Sequence, residues 1–392
     1  MDPMAILFLI VFLDMVGFGL VIPLLPFYVQ RVGEGPEVIT AVLGLYSLAQ
    51  FFAAPVWGRV SDRFGRKPVL AVTSVGFALS FVALAEADTL WLLVVSRVFG
   101  GLMAGNTAAA QAYVSDTTTP ENRAKGMGLI GAAFGLGFVF GPAMGGILGG
   151  NDPATANYAA PAYAAAVLSF IAAVGAVLFL KESLPPALRA APARVRGYLR
   201  LDIMAGRPAL LMLIACGFLV ICGWAQFETV FGLWANAVLQ YGPRQVGFLL
   251  TFMGIVSAVI QAGAMGATSR RFGEQRVALA ALLMMAAGYL VLARTEGLPL
   301  LLAAAVLLAA GSAFFTPTLS SLISKQAGAQ DQGVVLGAYQ SATALARFVG
   351  PAISGTVYVA LGLAAPFVLA AGLIVPAAAL LIPAARRYFP KQ

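Results

Sequence analysis

Four charged side chains stand inside long apolar runs, where a charge is expensive. Asp14 sits in Phe12-Leu13-Asp14-Met15-Val16-Gly17-Phe18-Gly19, and Arg97 in Leu93-x-x-x-Arg97-x-x-x-Gly101-x-x-x-Gly105. Glu228 follows Gly223-Trp224-Ala225-Gln226-Phe227, and Arg347 precedes Phe348-Val349-Gly350-Pro351. A charge at the centre of a membrane helix costs about 2.5–3.5 kcal/mol on insertion scales, so it must face protein or a wet cavity. Desolvation disfavours an ionised carboxyl and a nearby cation favours it. Asp14, poised between these, could load and release a proton; the competing reading is a fixed ion pair that ties two helices. Arg97 is the natural partner, because a guanidinium stays charged and can hold or release a carboxylate as it moves. Glu228 reads either as a site for a cationic substrate or second proton, or as a residue reaching the membrane surface. Arg347 either opposes Glu228 or attracts an anionic group. Both pairs of readings stand at this point.

Other chemistries lack their residues. The chain has no histidine, which removes the usual proton shuttle and zinc ligand. Cys216 and Cys222 are six residues apart in one apolar run and point to different faces of a helix, so no disulfide is expected between them. With no metal-ligand cluster and no nucleophile–base pair, an enzyme is not expected, nor any cofactor beyond the proton as coupling ion.

The elements that must position these charges are membrane helices. The chain is 60% hydrophobic and 10% charged, with a mean hydropathy of +0.90. A soluble domain carries about 25% charged residues. Twelve spans are expected, at roughly 4–30, 38–58, 68–86, 90–115, 123–150, 157–181, 208–238, 244–268, 276–294, 298–324, 332–360 and 363–385, each near or above the ~20 residues that cross a bilayer. The first run has Asp2 where a secretory signal has lysine, and it is long enough to span. Of 24 Lys and Arg, two lie inside spans (Arg97, Arg347), three on one side (Arg31, Arg244, Arg294) and the remaining 19 on the other. The 19-rich side is expected to be cytoplasmic, with both termini there. The same asymmetry explains the net charge of +8 as a basic face beside anionic lipid, without nucleic acid.

The chain also repeats itself. Gly58-Arg59-Val60-Ser61-Asp62-Arg63-Phe64-Gly65-Arg66-Lys67-Pro68-Val69 reads as a compact basic turn, and Gly266 to Val277 repeats its frame at an offset of 208. At an offset of 209, Gly128 meets Gly337, Gly141-Pro142 meets Gly350-Pro351, and Gly146 meets Gly355. Two parallel six-span halves are a known transporter plan, with the site between them. The expected organisation is an all-α integral membrane protein: a bundle at 1–181, a cytoplasmic linker at 182–207 with a short surface helix around Arg194–Leu201, and a bundle at 208–392.

Moving parts are expected at two places. Gly137, Gly141 and Gly145 line one helix face at four-residue steps, with Gly128, Pro142 and Gly146 in the same span; small residues let helices approach closely and proline removes a backbone hydrogen bond. On the basic face, Gly58, Asp62, Arg63, Gly65, Arg66, Asp116 and Arg123 form a charge cluster. Asp62 either caps a helix of the other half in one state or pairs locally with Arg63 or Arg66. Tyr46, Gln50, Gln111, Trp224, Gln226, Gln261, Phe314, Phe315 and Gln340 lie within spans and are candidates to line a substrate cavity.

These motifs resemble those of the major facilitator superfamily, in its twelve-span drug:proton antiporter branch. Gly58 to Val69 resembles the family's loop signature between spans two and three, Leu93 to Gly105 its span-four arginine signature, and Gly128 to Gly146 its span-five antiporter signature. Leu13-Asp14-x-x-Gly17-x-Gly19-Leu20-x-x-Pro23-x-Leu25-Pro26 is similar to the first span of tetracycline-efflux proteins, as are Ser61 to Arg66 and Asp116-Thr117-Thr118. Where that subgroup is expected to carry intramembrane aspartates in spans three and nine, this chain reads Ser80 and Leu283-Met284-Met285, and the subgroup's span-eight histidine is absent. The resemblance implies alternating access. Asp14 would carry the proton, Arg97 would modulate it and Glu228 would assist. The substrate would be a lipophilic cation or neutral amphipath, exported across a bacterial inner membrane by a monomer. A sugar, metabolite or lipid is the alternative cargo.

Overall fold

A computed structural model describes residues 2–184, 207–326 and 332–388. Among them, twelve helices are long and apolar enough to cross a bilayer, as expected from the twelve runs. The helix expected around Arg194–Leu201 lies outside the described residues.

The first half contains α1 (Pro3–Val21), α2 (Leu25–Arg31), α3 (Pro36–Phe64), α4 (Arg66–Ala85), α5 (Leu90–Met103), α6 (Asn106–Thr117), α7 (Pro120–Gly149) and α8 (Ala159–Phe179). The second half contains α9 (Pro208–Leu239), α10 (Pro243–Val259), a π-helical turn (Ile260–Ala264), α11 (Met265–Phe272), α12 (Glu274–Ala293), α13 (Leu298–Gln326), α14 (Gln332–Leu361) and α15 (Ala365–Tyr388).

Three spans are interrupted where a single run was expected. Pro23 and Pro26, which cannot donate to the helical ladder, separate α1 from α2. The fourth span breaks at Ala104 and Gly105 into α5 and α6. The eighth carries the π turn, a geometry that shifts side-chain register within a helix.

The basic motif is also not a loop. Gly58 to Phe64 forms the last two turns of α3, and the reversal falls on Gly65 alone, at φ 107°. The repeat does the same: Gly266 to Phe272 is helical and Gly273 turns at φ 79°. A side chain rarely adopts such φ values, so glycine is required at both turns.

The chain forms two compact units. The first holds α1, α2, α4 to α8 and α3 from Leu45, together with Tyr241–Thr251 at the start of α10. The second holds α9, the later part of α10 and the helices after it, together with Pro36–Gly44 at the start of α3. In the first unit, Leu7, Ile10, Val11 and Met15 of α1 pack with Leu70 of α4, Ala110 and Tyr113 of α6, and Ala172 and Ala176 of α8. The buried positions of α8 are almost all alanine or serine, so this helix lies close to α1 and α4.

Candidate functional site

Asp14 occupies the interior of the first unit. It is 2% exposed, which places it inside the protein rather than in an open wet cavity. Its Oδ2 accepts from Ser74 Oγ of α4 at 2.8 Å and from Asn106 Nδ2 of α6 at 3.0 Å. Among the described residues its Oδ1 has no hydrogen-bond partner. Ser169 of α8 faces the same carboxyl, although its Oγ makes no hydrogen bond of ordinary geometry. Asp14 is therefore held by neutral groups.

The expected pairing with Arg97 is not what the structure shows. None of the hydrogen bonds or ion pairs of Asp14 involves Arg97. The Arg97 guanidinium lies over the Phe81 ring, 5.9 Å from its centroid, and its Nε has no partner among the described residues. The physical reason is the break after α5. Asn106 follows Arg97 by nine residues, about 2.5 turns along the span, and it is the amide beyond the break that reaches the carboxyl. The break has its own support: Leu102 O, at the end of α5, accepts from Trp57 Nε1 at 2.6 Å. A Cβ on Gly101 would strike the Tyr46 carbonyl, and one on Gly105 the Trp57 ring, so both glycines let α5 and α6 lie against α3.

In the second unit the structure joins two residues whose relation the sequence left open. Arg347 Nη1 of α14 lies 3.0 Å from Glu228 Oε2 of α9, and Trp224 Nε1 donates to Glu228 Oε1 at 2.7 Å. Both charged side chains are partly exposed, so the pair borders an accessible space. Gln226, two residues from Glu228, is fully buried, and neither amide atom has a partner among the described residues. Tyr289 of α12 is buried, and its hydroxyl has no partner among the described residues. Of the remaining cavity candidates, Tyr46, Gln50, Gln111 and Phe314 are half-buried, Phe315 is buried, and Gln261 and Gln340 are exposed. Gln261 lies in the π turn.

The glycine seam of α7 is a contact surface for α1. A Cβ on Gly137 would lie 2.5 Å from Met15 Cβ, one on Gly141 2.6 Å from Gly19 Cα, and one on Gly145 would collide with the Leu20 carbonyl. Gly146 and the Pro142 carbonyl face the start of α10, while the Pro142 ring borders Gly19 of α1. A Cβ on Gly146 would meet Pro243 O at 2.9 Å, and one on Gly247 would strike Pro142 O. Thr251 Oγ1 donates to Val139 O at 2.9 Å and Arg244 N to Gly150 O at 3.1 Å. The repeat is geometric as well as textual. Gly350 abuts Cys222 of α9, Gly355 abuts Glu37 and Thr40 at the start of α3, and Gly128 and Gly337 both face open space. Pro142 lies within α7 and Pro351 within α14.

At the cation-rich end, Arg66 is the hub. It reaches Asp62 Oδ1 at 2.5 Å, Ser61 Oγ at 3.0 Å and Asp116 Oδ2 at 2.9 Å. Ser183 also donates to Asp116. Asp62 thus takes the local pairing. Arg63 is exposed and lies over the Phe64 ring, Gly58 has open space around it, and the Arg123 side chain lies outside the described residues. Glu182, which the sequence reading did not single out, accepts from the backbone N–H of Arg66 at 2.9 Å and of Lys67 at 3.2 Å, capping the start of α4.

The second half carries the same junction with its charges exchanged. Glu274 opens α12 as Arg66 opens α4, and Lys325 stands one residue before the end of α13 as Asp116 does in α6. Lys325 Nζ lies 2.8 Å from Glu274 Oε2, and Ser321 donates to Oε1 at 2.8 Å. Helix dipoles favour an acid at a helix start and a cation at a helix end. The second-half pair follows that preference. The first-half pair opposes it and is supported by Glu182, Asp62, Ser61 and Ser183.

Sequence reading missed Ser74, Asn106, Ser169, Glu182, Glu274 and Lys325. For the first three, the available signal was a polar side chain within an apolar span; for Glu274 it was the offset of 208 from Arg66.

The family description Major Facilitator Superfamily fits residues 7–265 and 239–391 of the chain. The chain is 32% identical over 360 residues to the class C tetracycline resistance protein of Escherichia coli, covering 89% of this chain and 87% of that protein. It is 28% identical over 369 residues to multidrug resistance protein 2 of Bacillus subtilis (strain 168), covering 93% and 90%. Among solved structures, the human organic anion transporter MFSD10 superposes with a TM-score of 0.73 at 26% identity, covering 96% of this chain and 98% of that one. The nucleoside transporter NupG gives 0.78 at 15% identity, covering 98% and 100%, and shares the fold.

Proposed function

The chain belongs to the major facilitator superfamily and is a multi-pass membrane transporter rather than an enzyme, and from that premise we propose that it is a proton-coupled antiporter exporting lipophilic or cationic drug-like molecules. The observation that carries this reading is Asp14, a carboxyl buried in a membrane helix with neutral donors and no bonded cation. An uncompensated charge there costs about 2.5–3.5 kcal/mol; a proton removes the cost and a change of environment returns it. Asp14 is thus the proposed proton carrier. Arg97 acts on it at a distance, through movement of α5 and α6, and Glu228 assists from the second unit. The cation excess on one face supports a cytoplasmic location for that face and both termini, in a bacterial inner membrane.

The tetracycline and multidrug resistance relatives support a drug-like cargo. Ser80 gives its hydroxyl to Phe77 O at 2.8 Å, and Leu283 is 70% exposed on its helix. Neither position carries the carboxylate expected of the tetracycline-efflux subgroup, which favours a lipophilic cation or neutral amphipath. A second reading, export of an organic anion or metabolite, is supported by the partly exposed Arg347 and by the similarity to a human organic anion transporter.

The test is transport in proteoliposomes under an imposed pH gradient, with a fluorescent lipophilic cation and a fluorescent organic anion as separate cargoes. Uphill movement of the cation that disappears in Asp14→Asn is expected. Movement of the anion alone would select the second reading, and full gradient-driven transport by Asp14→Asn would exclude Asp14 as the carrier.

A further inference from the structure

The two oxygens of Asp14 are unequally served. Among the described residues, Oδ2 accepts both hydrogen bonds, from Ser74 and Asn106, and Oδ1 accepts none. On the facing helix, Ser169 is fully buried and its hydroxyl also lacks a partner. Ser169 Oγ lies 3.5 Å from the position a Cβ on Gly17 would take. Gly17 is three residues from Asp14, on the same face of α1. Ser169 faces the Asp14 carboxyl, so two buried oxygens without partners among the described residues flank the α1–α8 contact, where buried polar groups are normally paired.

Their chemistry limits how they can pair. A carboxyl without its proton only accepts, whereas a carboxylic acid donates one hydrogen bond, and a hydroxyl does either. The two donors on Oδ2 mark it as the carbonyl oxygen of the acid, which leaves the hydrogen on Oδ1. Among the described residues, no charged group of the surrounding helices is bonded to Asp14. Arg66 of α4 is on Asp62 and Asp116, and Arg97 of α5 is over Phe81. On α6, Asp116 is bound to Arg66 and Tyr113 donates to Lys181 O; on α8, Tyr163 is bound to Glu86. The α7 face against α1 is its glycine seam.

We infer that Asp14 holds its proton on Oδ1 and that Ser169 Oγ is the acceptor that positions it, so that proton loading is registered by α8. Ser169 is a positioning residue, and the inference rests on Asp14 being the proton carrier. When the proton leaves, that hydrogen bond goes with it, so the α1–α8 contact differs between the two charge states.

Infrared difference spectroscopy of the full chain in liposomes, across a pH titration, tests this without knowledge of the cargo. Wild type should show the C=O stretch of a protonated carboxyl, absent in Asp14→Asn. In Ser169→Ala the band should move to higher wavenumber, and its titration midpoint should fall by about half to one pH unit, a three- to tenfold loss of proton affinity for one hydrogen bond. Ser169→Thr, which keeps the hydroxyl, should restore both. A Ser169→Ala midpoint equal to that of wild type, or moved upward as for a hydroxyl that serves only the ionised form, would overturn the assignment. Absence of any Asp14-dependent band would instead remove the proton-carrier reading on which it rests. Loss of one unpartnered oxygen is not expected to unfold the chain, and circular dichroism of each variant checks this.

Discussion

Glu228 and Arg347 form an ion pair, 3.0 Å between Oε2 and Nη1, on two membrane helices of the second unit. Asp14 and Arg97, the corresponding expectation for the first unit, do not. Double-mutant cycles on unfolding in detergent should separate these cases. Glu228→Gln with Arg347→Met should couple by about 1 kcal/mol, at the lower end for contacting residues because both side chains are partly exposed. Asp14→Asn with Arg97→Met should be additive within about 0.5 kcal/mol, as for residues without shared partners. A larger Asp14–Arg97 coupling would show that the two meet directly in the populated state.

Asp14→Asn preserves shape and the acceptor for Ser74 and Asn106 but carries no proton. It should abolish gradient-driven transport while leaving gradient-independent exchange of labelled cargo. Measuring both in the same vesicles distinguishes lost coupling from lost folding, since a misfolded protein would lose both.

The seam between α1 and α7 predicts graded damage. Gly145→Ala drives a methyl into the Leu20 carbonyl and Gly141→Ala meets the Gly19 backbone, so each should destabilise by about 1–3 kcal/mol. Gly128→Ala, with open space around it, should be neutral or slightly stabilising. Thermal midpoints of the three variants are the check, and equal shifts would mean that the seam repacks freely.

The inverted junctions predict an asymmetric response to charge exchange. Glu274→Lys alone places like charges together, and adding Lys325→Glu restores the attraction. The restored pair then opposes both helix ends, each worth about 0.3–1 kcal/mol. The double variant should therefore recover part, not all, of the stability lost by Glu274→Lys. Full recovery, by chemical unfolding at low salt, would show that the helix ends contribute nothing here.

The sequence alone determined the number of spans, the internal repeat and the identity of the costly charges. Composition and run length are local properties, and the bilayer penalises each buried charge wherever it pairs. The spacing of Gly137, Gly141 and Gly145 showed a helix face, because helical periodicity is itself local. What the tertiary structure alone decided was partnership. Asp14 turned to Ser74 and Asn106 because the chain breaks at Ala104–Gly105, a consequence of α5 and α6 lying against Tyr46 and Trp57. Arg347 found Glu228, and Arg66 found Asp116, through the facing of helices far apart in the chain. A side chain's own sequence neighbours fix its depth and face on a helix, but hydrogen bonds act over about 3 Å, and only the packing of separate helices brings groups that close.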